Sequence, residues 1–187
     1  MFFLVYPPEP APLIGKKIDP REEIFPLVEP NGLVIGRAPR SLCHAGSMLL
    51  HPVVNMHIID RNARLYLQKR SKRKRTYPGC WDTSVGGHVG YGEQLEEALY
   101  REAAEELGFY DFHPIFLESF VYENQREKEL VALYATISSK SPIPYGTEVS
   151  EARWWTFEEI EKAPENKFTP SFINEFKKIK DKLLSLL

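Results

Sequence analysis

The stretch GHVGYGEQLEEALYREAAEELGF, residues 87–109, decides how this chain is read. It is a glycine-rich loop running into a helix whose last turns carry Glu102, Glu105 and Glu106. At 3.6 residues per turn these carboxylates share the angular stripe of Leu95, Ala98 and Leu99, so one face begins apolar and ends acidic. Like charges crowded at i, i+3 and i+4 repel one another. A solvated acidic face is the ordinary explanation for such a run. Here, however, the leucines direct the same stripe inward, and buried charge is costly unless it is paired or binds metal. A hard divalent cation with oxygen ligands answers that need. Arg101 lies one turn from both Glu97 and Glu105 and is placed to orient a carboxylate. Gly86, Gly87, Gly90 and Gly92 allow the backbone to turn tightly and approach a ligand closely. A helix N-terminus alone would suit phosphate, but the acids stand at the far end. The better reading is a metal site that in turn holds phosphate.

Outward from this segment the chain is unexceptional in bulk. Its 187 residues, 43% hydrophobic and 27% charged, suit one domain with a real core. The net charge of -2 gives no general attraction to nucleic acid or anionic membrane. Cys43 and Cys80 are too few for a disulfide framework and fit a reducing cytoplasm. The apolar run Met1 to Tyr6 stops at Pro7-Pro8, too short for a signal-peptide core, and no stretch approaches membrane-spanning length. The expectation is a cytoplasmic protein.

Residues 1–21 hold five prolines and read as an arm. Residues 22–50 read as a hairpin and connection, with runs Glu23–Glu29 and Leu33–Arg37 turning at Pro30-Asn31-Gly32. Residues 51–187 form the expected core with a C-terminal helix. Within it, Pro52–Ile59 and Arg64–Lys69 pair about Asp60–Ala63. Gln94–Leu107 is the clearest helix, stopped by Gly108. Phe116–Tyr122, Glu129–Ile137 and Ala152–Phe157 read as strands, Phe157–Lys162 and Ser171–Leu187 as helices. Without regular βαβ alternation this mixture favours an α+β or sandwich arrangement.

The spacing Gly87, five residues, Glu93, seven residues, Arg101-Glu102-Ala103, one residue, Glu105-Glu106, one residue, Gly108-Phe109 resembles a complete Nudix box, with Ala103 standing where a larger aliphatic residue is usual. That resemblance implies a mixed β-sheet sandwiched between α-helices, and hydrolysis of a diphosphate linkage with Mg2+ or Mn2+. It implies that Glu102, Glu105 and Glu106 bind metal and that one of them, or another nearby acid, activates water. Glu105, Glu106 and Arg101 are thereby the candidate catalytic residues.

A wider resemblance, over roughly Glu23 to Phe172, is to the isopentenyl-diphosphate isomerases, Nudix-fold relatives that move a double bond. In that family, histidines placed like His44, His51 and His88 and glutamates placed like Glu127 and Glu129 build a metal site. Taken singly, a histidine is more often packed than ligating, and Glu-Lys-Glu is usually solvated. Together they mark a second candidate metal site. His57 and His113 match nothing and keep the ordinary reading. The isomerases carry a proton-transferring cysteine immediately before the Gly-His pair, and here that position is Gly86. Glycine cannot carry a proton, and this difference points to a hydrolase.

In the basic run Lys69 to Arg75, Arg70 and Lys74 match residues that contact diphosphate in the isomerases. With Gly86 and Gly87 they are the candidate substrate-binding residues. Trp81, Trp154 and Trp155 are expected in the core or a pocket wall, not in a nucleic-acid surface. The resulting expectation is a metal-dependent hydrolase of a nucleoside diphosphate linked to another group, or of a similar small diphosphate. The rivals are isopentenyl-diphosphate isomerisation and non-catalytic diphosphate sensing. No nucleic acid or membrane partner is expected, and a homodimer is compatible with the sequence. Specificity is expected from the Tyr122–Lys128 loop, the Ser138–Ser150 stretch and the N-terminal arm.

Overall fold

A computed structural model describes residues 2–17, 19–144 and 147–187. Positions 1 and 18 of the expected arm and 145 and 146 of the expected specificity stretch lie outside the described residues. The strands are β1 (Ile24–Val28), β2 (Val34–Pro39), β3 (Leu50–Ile59), β4 (Arg64–Arg70), β5 (Trp81–Asp82), β6 (Val85–His88), β7 (Ile115–Glu123), β8 (Lys128–Ile137) and β9 (Val149–Thr156). The helices are α1 (Arg40–Cys43), α2 (Leu95–Leu107), α3 (Phe157–Lys162) and α4 (Pro170–Leu184), with a 3-10 turn at Glu165–Lys167. β1 and β2 form their own antiparallel pair. The larger sheet has seven strands, in the order β5-β4-β3-β8-β7, with β6 added to β3 and β9 added to β4. The architecture is α+β.

By internal contacts the chain divides into two compact units: Met1–Val54, Gly87–Leu99 and Glu118–Leu133 form one, and Asn55–Gly86, Tyr100–Leu117 and Tyr134–Leu187 form the other. In the first, the expected hairpin forms, turning at Gly32, whose φ of 88° suits glycine. Phe25, Leu27, Ala38 and Cys43 make a small buried core there. The arm is tied down more closely than its prolines suggest. Val5 bridges Leu33, immediately before β2, and Leu13 bridges Arg37 in β2. The Gln94 side chain accepts from Leu4 N–H and donates to Leu4 O, and Tyr6 Oη donates to Glu93 O at 2.9 Å.

In the second unit, β4 pairs antiparallel with β9 from Arg64–Thr156 to Arg70–Val149, and with β5 at Gln68–Asp82. α4 buries Phe172, Phe176, Ile179 and Leu183, spaced at helical period on one stripe. Its first turn begins at Thr169, whose hydroxyl accepts from Phe172 N–H and donates to Asp82 Oδ1 at 2.7 Å. Trp81 and Trp155 are buried edge to face with centroids 5.1 Å apart, and Trp154 lies at 5.0 Å from Tyr66. The tryptophans are therefore spent on packing, as expected.

α2 matches its expected extent to within one residue. Leu95, Ala98 and Leu99 are buried. Ala103 is buried too, beside the completely packed Leu107 stripe, so its small side chain fits an enclosed position. Gly108, at φ 57°, ends the helix in the left-handed region, and Phe109 N–H reaches back to Ala103 O at 3.1 Å.

Candidate functional site

Two constellations form, each within one unit. The acidic one gathers on the last turns of α2. Glu106 is 8% exposed, whereas the Glu105 side chain is 61% exposed and that of Glu102 15%. The helical stripe thus turns outward across Glu105, and the carboxylates have three different environments. Arg101 Nη1 donates to Glu102 Oε1 at 2.7 Å and stands 3.6 Å from Glu105 Oε2. It orients Glu102 first and Glu105 second.

Burial pushes the Glu106 carboxyl from the ordinary 4.5 up to about 8, and the neighbouring Glu102 charge adds to the rise. The Gly86 N–H, the Gln68 amide and the Lys74 charge oppose it. A buried acid that resists ionisation beside a second carboxylate fits a divalent cation, which replaces the proton and relieves the repulsion. Without a cation, folded Glu106 keeps a proton that the unfolded chain loses above about pH 4.5. Stability then declines as pH rises to about 8 and levels off beyond it. The rise in Tm on adding Mg2+ or Mn2+ should accordingly be larger at about pH 8 than at about pH 5. Equal rises at both, in thermal melts, would contradict this placement of Glu106.

The basic residues are engaged. Arg70 donates from Nη1 to Asp82 Oδ2 at 3.1 Å, and from Nε and Nη2 to Thr76 O and Oγ1. Lys74 pairs with Glu148, and Lys69 with Glu151. Arg70 therefore fixes the loop that follows β4, while the charge of Lys74 reaches Glu106. Gly86 sits in β6 and donates its N–H to Glu106 Oε2 at 3.2 Å, and Gly87 follows it in the same strand.

Sequence reasoning missed Asn55, Glu175 and Gln68. Glu175 of α4 is 1% exposed and accepts from Asn55 Nδ2 and from His57 Nε2. With its nitrogen held there, Asn55 turns Oδ1 toward Gly86, where a Cβ would meet it at 2.9 Å. Asn55 and His57 are polar interruptions at i and i+2 of the apolar run Val53–Ile59 in β3, a signal that marks a shared partner. His57 is thus a paired buried residue. His113 Nδ1 bonds only the neighbouring Phe112 O among the described contacts.

The second constellation brings all five expected residues together. His44 follows α1, His51 lies in β3, His88 ends β6, Glu127 immediately precedes β8 and Glu129 is its second residue. His44 Nε2 is 3.0 Å from His88 Nε2 and 3.5 Å from Glu127 Oε2, and His88 Nε2 is 4.0 Å from Glu129 Oε1. His51 bonds Leu49 O through Nδ1 at 2.9 Å, which leaves Nε2 buried without a partner. Ligand atoms of His44, His51 and His88, and of His51, Glu127 and Glu129, lie within 4.8 Å of one another. Burial lowers His51 and brings His44 down to about 4, so both rings are neutral and free to ligate. Phe25 stacks on His88 at 4.6 Å and on His51 at 5.5 Å, which fixes the ring planes. The orphaned His51 nitrogen and the donor set of imidazoles and carboxylates fit a divalent transition metal.

The NUDIX domain profile matches residues 49–176. The isopentenyl-diphosphate Delta-isomerase of Brevibacterium linens is 33% identical over 149 residues, covering 75% of this chain and 81% of that protein. An uncharacterized Nudix hydrolase of Nostoc, all7351, is 40% identical over 85 residues, 46% of this chain and 50% of its own length. Among solved structures, DR0079 from Deinococcus radiodurans superposes with a TM-score of 0.65 at 29% identity, over 74% of this chain and 86% of that one. The chain belongs to the NUDIX family, in the branch that resembles isopentenyl-diphosphate isomerases. The expected α+β Nudix fold is borne out. No helix among the described residues is long and apolar enough to cross a membrane.

Proposed function

We propose that this protein is a divalent-metal-dependent hydrolase that cleaves the diphosphate linkage of a nucleoside diphosphate joined to another group, or of a similar small diphosphate. One observation carries the reading. At the position where the isomerases hold a thiol, this chain offers only the Gly86 backbone, and its N–H is engaged on the buried carboxylate of Glu106. Residue 86 serves the acidic site and has no proton to transfer. Glu102, Glu105 and Glu106 would hold Mg2+ or Mn2+, which neutralises phosphate charge and lowers the pKa of bound water. Arg101 keeps Glu102 and Glu105 in place, and the positive charge of Lys74 acts on Glu106. The space beside Gly86 is filled by Asn55 Oδ1, so Gly86 contributes its backbone N–H to the acidic site. A screen of nucleotide sugars, dinucleoside phosphates and nucleotides with each metal tests the reading. Cleavage of none of them would sink it.

A second reading, isomerisation of isopentenyl diphosphate, is favoured by one observation, the assembled cluster of His44, His51, His88, Glu127 and Glu129. Restoring the thiol discriminates between the two. In Gly86→Cys the new Cβ must displace Asn55 Oδ1, and Asn55 can yield only by loosening its bond to Glu175. The variant should lose about 1–3 kcal/mol in denaturant melts, the penalty of an unsatisfied buried polar group. It should gain no deuterium exchange into isopentenyl diphosphate. Exchange by the protein with Gly86 in place would favour the isomerase, and unchanged stability of the variant would contradict the Asn55 contact.

A further inference from the structure

The two oxygens of Glu106 are not equivalent. Oε2 accepts from Gln68 Nε2 at 3.0 Å and from Gly86 N–H at 3.2 Å. Among the described hydrogen bonds none falls on Oε1. Gln68 lies in β4, 6% exposed, and its register partners are Asp82 and Ala152. An amide in the middle of a sheet is retained at a cost unless its polar atoms are used. Oε2 already accepts the Gly86 N–H, so the Gln68 group facing that oxygen must be the NH2.

We propose that Gln68 is a positioning residue which, with the Gly86 N–H, holds Oε2 of Glu106 and so assigns Oε1 to the divalent cation or its bound water. The inference rests on the hydrolase reading of the acidic site and goes beyond it by naming the residue that aims the carboxylate. Neither contact could be foreseen along the chain, because Gln68 and Gly86 lie 38 and 20 residues from Glu106. Gln68 touches no substrate in this arrangement. It acts through Glu106, by fixing the side-chain torsion that a cation would otherwise have to fix on binding. Partners of this kind typically change metal affinity by about 10–100-fold when removed.

The test is Gln68→Met, which keeps length and volume but has no donor. Mn2+ binding is followed by electron paramagnetic resonance without substrate, beside wild type and Glu106→Gln. The component of Mn2+ binding that Glu106→Gln removes identifies the acidic site and separates it from the histidine cluster. Gln68→Met should weaken that component by about tenfold and leave the other unchanged. In turnover, the Mn2+ concentration for half-maximal rate should rise by a similar factor, with substrate KM at saturating metal unchanged. A purely packing role would leave both values at wild type, and that result overturns the proposal. So does a Glu106→Gln titration that loses no component. If Gln68→Met does not fold, Gln68→Asn withdraws the donor by one methylene in a polar side chain and is read in the same way. Should wild type cleave no diphosphate while Gln68→Met still weakens Mn2+ binding, the hydrolase reading fails and the positioning role stands.

Discussion

Glu106→Gln should abolish hydrolysis, lowering kcat by about a thousandfold, within the range for loss of a residue that works directly on the reacting centre. The expected size follows from the bonds around the side chain. Two N–H donors, from Gln68 and Gly86, face one of its oxygens. A glutamine there must turn its own oxygen toward them, because its NH2 would meet donors. The NH2 then stands where Oε1 stood, and an amide nitrogen, whose lone pair is delocalised into the carbonyl, cannot ligate a cation. The loss is therefore larger than the removal of one charge would produce. Folding should not suffer. Burial already pushes the Glu106 carboxyl up to about 8, so a neutral amide removes a group that resists ionisation. Steady-state rates with Mg2+ or Mn2+ and thermal melts check both halves. A variant with wild-type turnover would remove Glu106 from the chemistry. Loss of turnover with an intact fold also excludes the non-catalytic sensor.

Glu175→Ala should destabilise the protein by about 3–5 kcal/mol, the usual cost of breaking a buried charged network by deleting one partner. Glu175 is almost fully enclosed, and both of its oxygens are used, one by Asn55 Nδ2 and one by His57 Nε2. Alanine leaves two buried donors unsatisfied and a cavity where the carboxylate was. Glu175→Gln keeps one good acceptor and should cost about 1–3 kcal/mol. Denaturant melts give both values. A Glu175→Ala midpoint equal to wild type would mean that the network carries no stability. The network matters beyond stability because it holds Asn55 Oδ1 against Gly86. It is the physical reason that position 86 is closed to a side chain.

The parts legible in the sequence are those set by local periodicity or by a fixed spacing. The stripe from Leu95 to Glu106 and the Gly108 stop placed α2. Alternation and turn residues placed β1 to β4, β7 and β8. The five residues of the histidine and glutamate cluster could be named together because a family resemblance supplied their grouping; the geometry then brought their ligand atoms within reach. Other features were hidden for physical reasons. β5 and β6 are 2 and 4 residues long, and β6 is half glycine, so pairing with neighbouring strands makes them strands, not propensity. β9 begins at Val149, ahead of the expected Ala152, after a register shift between Lys69 and Arg70. The i, i+3, i+4 placement of the three glutamates concealed the exposure of Glu105. Arg70 and Lys74 read as matches to diphosphate-contacting residues, and their partners Asp82 and Glu148, 12 and 74 residues away, could not be read locally. The Asn55–Glu175–His57 network closes over 118 to 120 residues, beyond any local pattern.

The most direct measurement follows two isotopes in parallel with the same protein, Mg2+ and Mn2+. Diphosphate-linked nucleotides are incubated in heavy-oxygen water, and isopentenyl diphosphate in deuterium oxide. The account predicts heavy oxygen in a product phosphate and no deuterium in isopentenyl diphosphate. Deuterium entering isopentenyl diphosphate, with every diphosphate linkage left intact, would contradict it.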